Sequence, residues 1–394
     1  MPVEKLEDDN YIIQLVNSLL IEALSCDASD IHLEPMEDTL RIRFRIDGVL
    51  QEKHRFSPAA TPLIISRLKL LAGMDITEKR LPQDGNMYFQ WDGRDVNIRT
   101  STVPTIYGEK MAIRLLSLDK VVMPLNYLGF NAHNWEKYKH FLQTSFGMLL
   151  VTGPTGCGKT TTLYSTLSFL SSNEVNILTV EDPIEYRLKG INQIQINNKI
   201  NLTFASALRA VLRQDPNIVM VGEIRDSETA EIAIRAALTG HLVFSTLHTN
   251  DAPRAISRLI DIGVEPYLLN SSLVGVISQR LIRLNCKNCM ENYTPARDEL
   301  TYYQYVRGDN NKKFVKGMGC DECGGTGYKG RSAIHEVMPV DENICSLIYS
   351  SGDAESIRQY TLNLGMKSLI MDGFERAEKG ITTLEEVIHK AYCL

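Results

Sequence analysis

The chain has 394 residues, 44% hydrophobic and 23% charged, with a formal net charge of −6. That length exceeds one compact core and fits two or three domains of ordinary globular composition, while the acidic balance argues against general nucleic-acid binding, which relies on a basic footprint. No apolar run approaches the roughly 20 residues a bilayer crossing needs, and the acidic start MPVEKLEDDN carries no signal-peptide stretch, so the expected location is cytoplasmic with membrane contact only through partners.

Taken in chain order, residues 11–26 place Ile12, Leu15, Val16, Leu19, Leu20 and Leu24 at helical spacing. The period then changes: Leu40, Ile42, Phe44 and Ile46 alternate with Arg41, Arg43, Arg45 and Asp47, a half-buried strand closed by an Asp47-Gly48 turn. Met87, Phe89 and Trp91 repeat that texture ahead of a turn at Asp92-Gly93. Residues 1–118 read as a small α+β domain, and 119–131, with a proline and a glycine, as a linker. From residue 132 to 285, short apolar runs (Met148–Val151, Ile177–Val180, Ile218–Val221, Leu242–Phe244) alternate with helical stretches, as parallel strands buried on both faces would. A cysteine-rich segment follows at 286–335, and 336–394 reads as helical.

The sharpest signal is Gly153-Pro154-Thr155-Gly156-Cys157-Gly158-Lys159-Thr160-Thr161, which fits G-x(4)-G-K-[ST] between the apolar run MLLVT and a helical stretch. Glycines let the backbone wrap an anion and aim N–H groups inward, and the helix N-terminus adds partial positive charge. Lys159 supplies a cation for the β- and γ-phosphates, and the Thr160 hydroxyl can hold Mg²⁺. The motif predicts ATP or GTP binding. A second acid is then required. Glu223, in Gly222-Glu223-Ile224-Arg225-Asp226, follows the run NIVMV at a strand's carboxyl end, where an open α/β sheet presents its ligand crevice. Glu181-Asp182-Pro183-Ile184-Glu185 ends another strand; an acidic turn capped by Pro183 is the alternative reading of that box. His248, in Thr246-Leu247-His248-Thr249, falls at the same sheet end.

These boxes, GPTGCGKT, TVEDPIE, GEIRD and TGHLVFSTLHTNDA, resemble in order and spacing the secretion ATPase family over about residues 11–394. The resemblance implies an α/β fold: a RecA-like P-loop ATPase core with an N-terminal α+β (PAS-like) domain, a four-cysteine zinc insert and C-terminal helices. It implies a hexameric motor for type II secretion, type IV pilus assembly or DNA uptake, working on an inner-membrane platform protein. Glu185 resembles the family's water-positioning glutamate, with Glu181 and Asp182 left open to share that role. Glu223 resembles its magnesium-associated acid and His248 its γ-phosphate-facing histidine. Arg99 and Arg114 match arginines that reach the phosphates, a task suited to a permanently charged fork. The family's longer members begin with a further docking domain, and nothing of that size precedes residue 11.

Eight cysteines remain to be placed. Cys26, Cys157, Cys345 and Cys393 are scattered, whereas Cys286-x-x-Cys289 and Cys320-x-x-Cys323 form two knuckles that together suit a closed, structural Zn²⁺ site. The thirty residues between them exceed the roughly 15–20 usual for such ribbons, and thiol redox chemistry is the alternative. Among the resemblance's members, assembly and secretion motors usually carry this quartet and retraction motors generally lack it. Two other function classes stand beside the motor: a nucleic-acid translocating ATPase gripping DNA through the cysteine ribbon, and a nucleotide-dependent scaffold without turnover.

Overall fold

A computed structural model describes residues 9–116, 122–308, 312–350 and 353–391, the side chains of Asp9, Arg94 and Leu116 excepted. The acidic start up to residue 8 and Cys393 lie outside the described residues. The chain divides into two compact units, Met1–Asp119 and Lys120–Leu394.

In the first unit, the helical period of the N-terminal stretch becomes α1 (Asp9–Ser25). β1 (Asp30–Pro35), β2 (Leu40–Ile46) and β3 (Val49–Phe56) follow, then α2 (Ala60–Leu71), β4 (Gln83–Trp91), β5 (Arg94–Thr105) and β6 (Gly108–Leu116). The six strands pair antiparallel in the order β3-β2-β1-β6-β5-β4, and the two Asp-Gly pairs close the β2–β3 and β4–β5 hairpins. Alternation sorts the faces. Ile31, Leu33, Ile42, Phe44, Ile98 and Ile113 bury against Val16, Leu20, Ile64 and Leu68 of the two helices. The opposite face is ionic: Arg43 grips the nearly buried Glu34 at 2.7 Å and Arg41 adds a second contact at 2.9 Å. Burial alone would raise the Glu34 carboxyl, but the bonds from Arg43 and Lys110 win and hold it at about 2.

The second unit begins with residues of the expected linker. From residue 122 on they pack inward, with Leu125 and Leu128 buried beside Tyr138 and Phe141 of α3 (Ala132–Leu142). Then come β7 (Gly147–Thr152), α4 (Lys159–Leu170), β8 (Ile177–Glu181), β9 (Asn192–Gln195), α5 (Phe204–Val211) and β10 (Ile218–Val221). After these run α6 (Ser227–Leu238), β11 (Leu242–Leu247), α7 (Ala252–Asp261), α8 (Pro266–Ser272) and β12 (Leu273–Asn285). β13 (Met290–Tyr293), α9 (Arg297–Arg307) and β14 (Phe314–Gly317) form the cysteine-bearing excursion, and β15 (Tyr328–Pro339) returns to the main sheet. The sheet order is β15-β12-β7-β11-β10-β8-β9, parallel throughout except for the β12–β15 pair. The expected segment boundary at residue 335 thus falls inside a strand, because ten residues of β15 pair with β12 from Asn285 to Gly275. The chain closes with α10 (Glu342–Ser350), α11 (Ala354–Asn363), α12 (Leu369–Glu378) and α13 (Leu384–Ala391).

The strands β7, β8, β10 and β11 are buried at every position, as continuous apolar runs covered on both faces require. Among the described residues no helix is long and apolar enough to cross a membrane.

One buried acid ties the sheet to its flank. Glu336 of β15 accepts the Ala252 amide at 2.8 Å, beside Asp251, which caps α7 and pairs with Arg358 of α11 at 2.6 Å. Burial raises the Glu336 carboxyl to about 7, outweighing the Ala252 bond. Its folded value lies above the unfolded one, so folding holds a proton there: this stability is complete below about pH 4 and is lost as pH rises towards 7. Glu336→Gln is therefore expected to flatten the decline of melting temperature between about pH 5 and 7. Parallel wild-type and variant curves across that range would refute the assignment.

Candidate functional site

The sheet's carboxyl edge gathers the motifs. Strand β7 ends at Thr152, whose hydroxyl meets Thr249 Oγ1 at 2.7 Å, so the starts of the phosphate loop and the histidine loop are tied. Pro154, Thr155 and Gly156 form the exposed crest of the loop, with Cys157 buried beneath it, where burial raises its thiol. Two glycines are sterically obligatory. A Cβ on Gly153 (φ 148°) would lie 2.6 Å from both Cys157 Sγ and the Gln279 carbonyl, and Gly158 (φ 92°) turns the chain into α4 with Gln279 Nε2 3.1 Å from where its Cβ would stand.

Lys159 opens α4, and its ammonium donates to the carbonyls of Gly153 at 2.7 Å and Pro154 at 3.1 Å. Burial lowers its pKa, while the nearby Glu223 pulls it back up. Thr160 stands exposed on the same first turn, with Thr161 half-buried behind it. Glu223 follows β10, held in place because the Thr246 and Ser245 hydroxyls bond the Gly222 and Val221 carbonyls. Its carboxylate takes a 2.5 Å bond from Arg225 and faces His248 Nε2 at 3.6 Å. Burial, and then the positive charge of Lys159, lower the His248 imidazole below its ordinary value, which favours the neutral ring. Glu223, Arg225, Leu247, His248 and Arg258 line one open cleft. Lys159, Glu223 and His248 are thus brought together.

The other predicted acids and arginines lie at the end of β8, on the loop after it, and in the first unit. Glu181 is buried at the β8 tip, while Asp182 is exposed and Glu185 half-buried on the loop beyond. Arg99 and Arg114 are direct cross-strand partners on β5 and β6 of the first unit, where Arg114 bonds Asp30 at 3.2 Å. His241, at the other end of β11, meets the Ala236 carbonyl with Nδ1 and so finishes α6.

Sequence motifs missed Gln279. From the fully buried middle of β12 its amide donates to the Cys157 carbonyl at 2.8 Å and accepts the Thr162 hydroxyl at 2.8 Å, pinning the loop to the helix it feeds. It lies 117 residues from Thr162 in sequence, with no local pattern to mark it.

The four cysteines converge from the ends of the β13–β14 pair. Sulfur separations are 3.8 Å for Cys286–Cys320, 3.9 Å for Cys289–Cys323 and 3.8 Å for Cys320–Cys323. All four sulfurs lie within 4.8 Å of one another. These spacings match a tetrahedron with metal–sulfur bonds of about 2.3 Å, and they are too long for disulfides. Amides of Gly319, Cys320 and Gly327 point at the sulfurs of Cys289 and Cys323 at 3.2–3.3 Å. Against burial, which raises it, those on Cys323 bring its thiol below the usual range. The donor set fits a thiophilic ion such as Zn²⁺ and leaves no fifth position for chemistry.

A sequence profile of type II/IV secretion system proteins matches residues 5–389. The chain belongs to this family. It is 47% identical over 386 residues to the type II secretion system ATPase E of Vibrio cholerae, a match spanning 97% of this chain and 76% of that protein. It is 46% identical over 382 residues to the type IV pilus assembly ATPase PilB of Thermus thermophilus, spanning 97% of this chain but 43% of that protein. Among solved structures, the pilus retraction motor PilT with bound ADP is 27% identical and superposes with a TM-score of 0.62, covering 95% of this chain and 96% of that one. DotB of Legionella pneumophila, 21% identical, shares the fold at a TM-score of 0.70 over 95% and 94%. As a secretion-family enzyme the chain is an ATPase, with the mixed α/β fold and parallel sheet expected from its motifs.

Gln279→Leu keeps the volume but strands the Thr162 hydroxyl and the Cys157 carbonyl. It is expected to destabilise the second unit by about 1–3 kcal/mol and to weaken nucleotide binding. Thermal unfolding with a fluorescent-nucleotide titration checks this; an unchanged affinity would mean that Gln279 does not shape the loop.

Proposed function

We propose that this ATPase is a Mg²⁺-dependent, ring-forming motor, hexameric and cytoplasmic, that powers type IV pilus assembly or type II secretion through an inner-membrane platform protein. The observation that carries this is the meeting of Lys159, Glu223 and His248 at one sheet edge in a chain of the secretion family. Lys159 with the backbone N–H groups of residues 155–161 would bind the β- and γ-phosphates of ATP. Thr160 and Glu223 would hold Mg²⁺, which neutralises charge on the phosphate oxygens. Glu185 orients the attacking water, and His248, as a neutral ring, donates to the γ-phosphate. Arg99 and Arg114 supply positive charge to the transition state. Cys286, Cys289, Cys320 and Cys323 would hold a structural Zn²⁺.

Turnover per subunit is expected to climb with protein concentration until the ring forms, with Lys159→Ala inactive throughout. Constant turnover from a species with the molar mass of a monomer would overturn the ring. Metal analysis is expected to find one zinc per chain. Cys286→Ser with Cys323→Ser should lose it and lower the melting temperature, since a structural site of this kind contributes on the order of 10 kcal/mol locally. A metal-free wild type of equal stability would remove zinc from the proposal.

A further inference from the structure

Three acids share the β8 tip, and their hydrogen bonds separate them. Glu181, 4% exposed, is engaged wholly by protein donors. The Tyr164 hydroxyl donates to its Oε2, while Thr179 Oγ1 at 2.5 Å and Gln193 Nε2 at 3.0 Å donate to its Oε1. Glu185 stands four residues on, and its loop is gripped on both sides. Gln195 Oε1 accepts the Ile184 amide at 3.2 Å. Gln193 accepts the Leu188 amide at 2.6 Å and donates to the Tyr186 carbonyl at 2.9 Å. The backbone amides of Glu185 and Tyr186 are directed at the Tyr164 oxygen.

Tyr164 is therefore the junction. It is 1% exposed and sits on α4, the helix whose first residues are Lys159 and Thr160. Its hydroxyl donates to one acid and receives the backbone that carries another. Removing that hydroxyl leaves a buried carboxylate oxygen and two amides short of a partner, without touching any group that reaches nucleotide.

We propose that Tyr164 and Glu181 are positioning residues for Glu185: they fix the loop bearing the water-orienting carboxylate to the helix that begins at the phosphate loop. Glu181 is thereby a structural anchor and not a second acid of the reaction. A shift of about 1 Å in a water-orienting group is enough to slow hydrolysis while leaving ground-state binding of ATP untouched. The inference rests on the ATPase reading above and assigns separate duties within its acidic box.

The test uses the full chain, with steady-state ATP hydrolysis beside fluorescent-nucleotide binding. Tyr164→Phe and Glu181→Gln are each expected to lower kcat about tenfold, with KM and nucleotide affinity within about twofold of wild type. Glu185→Gln is expected to lose at least about 100-fold. In single turnover, the Tyr164→Phe loss should vanish on the Glu185→Gln background, because a glutamate that no longer acts need not be positioned. Glu181→Gln as damaging as Glu185→Gln would make Glu181 an acid of the reaction and overturn the proposal. So would losses that multiply in the double variant, or a Tyr164→Phe loss shared between kcat and affinity. Should Tyr164→Phe fail to fold, Gln193→Ala on edge strand β9 reads the same link: a loss confined to kcat supports it and wild-type kcat overturns it. Lys159→Ala hydrolysing ATP like wild type would instead sink the ATPase site itself, whatever Tyr164 does.

Discussion

Strands β7, β11, β10 and β8 run side by side in one direction, each wholly buried, and the catalytic half of the molecule depends on that ladder. A parallel ladder needs a crossover after every strand, and the crossovers here are helices that cover both faces. Every strand therefore ends at the same edge. Turn residues that leave those ends have no ladder partners to satisfy, so that edge is free to carry polar chemistry: the phosphate loop after β7, the acidic box after β8, Glu223 after β10 and His248 after β11.

Close packing of charges at that edge sets their behaviour. Lys159 and His248 are both pushed towards neutrality by burial, and Glu223 opposes this for each. Arg225 balances Glu223 from the other side. Removing Glu223 would thus disturb three basic groups together, Lys159, His248 and Arg225, which makes it the electrostatic centre of the cleft and not only a candidate metal ligand.

The outer strands add what the four-strand ladder lacks. β12 backs the phosphate loop with Gln279, and β15 locks the α7 start through Glu336. The excursion between them holds the cysteine pairs, and its small core of Tyr303, Phe314, Phe374, Leu384 and Val387 joins α9 and β14 to α12 and α13. That explains the long spacing of the quartet: thirty residues accommodate β13, α9 and β14, so the knuckles are brought together by a small packed module and not by a minimal ribbon.

Whatever depends on neighbours along the chain was legible in the residues alone. Helical spacing marked α1, alternation and Asp-Gly pairs marked the first hairpins, and apolar runs marked the four inner strands to within three residues at either end. The phosphate loop and the cysteine knuckles were legible because each needs its residue types within a few positions. The first unit's ionic face, the pairing of β12 with β7 and β15, and the contacts of Gln279 and Tyr164 emerge only once the chain is folded. Those contacts join groups between 17 and 122 residues apart. Which side chain meets which across such a gap is fixed by strand order and register, and neither composition nor periodicity carries that information.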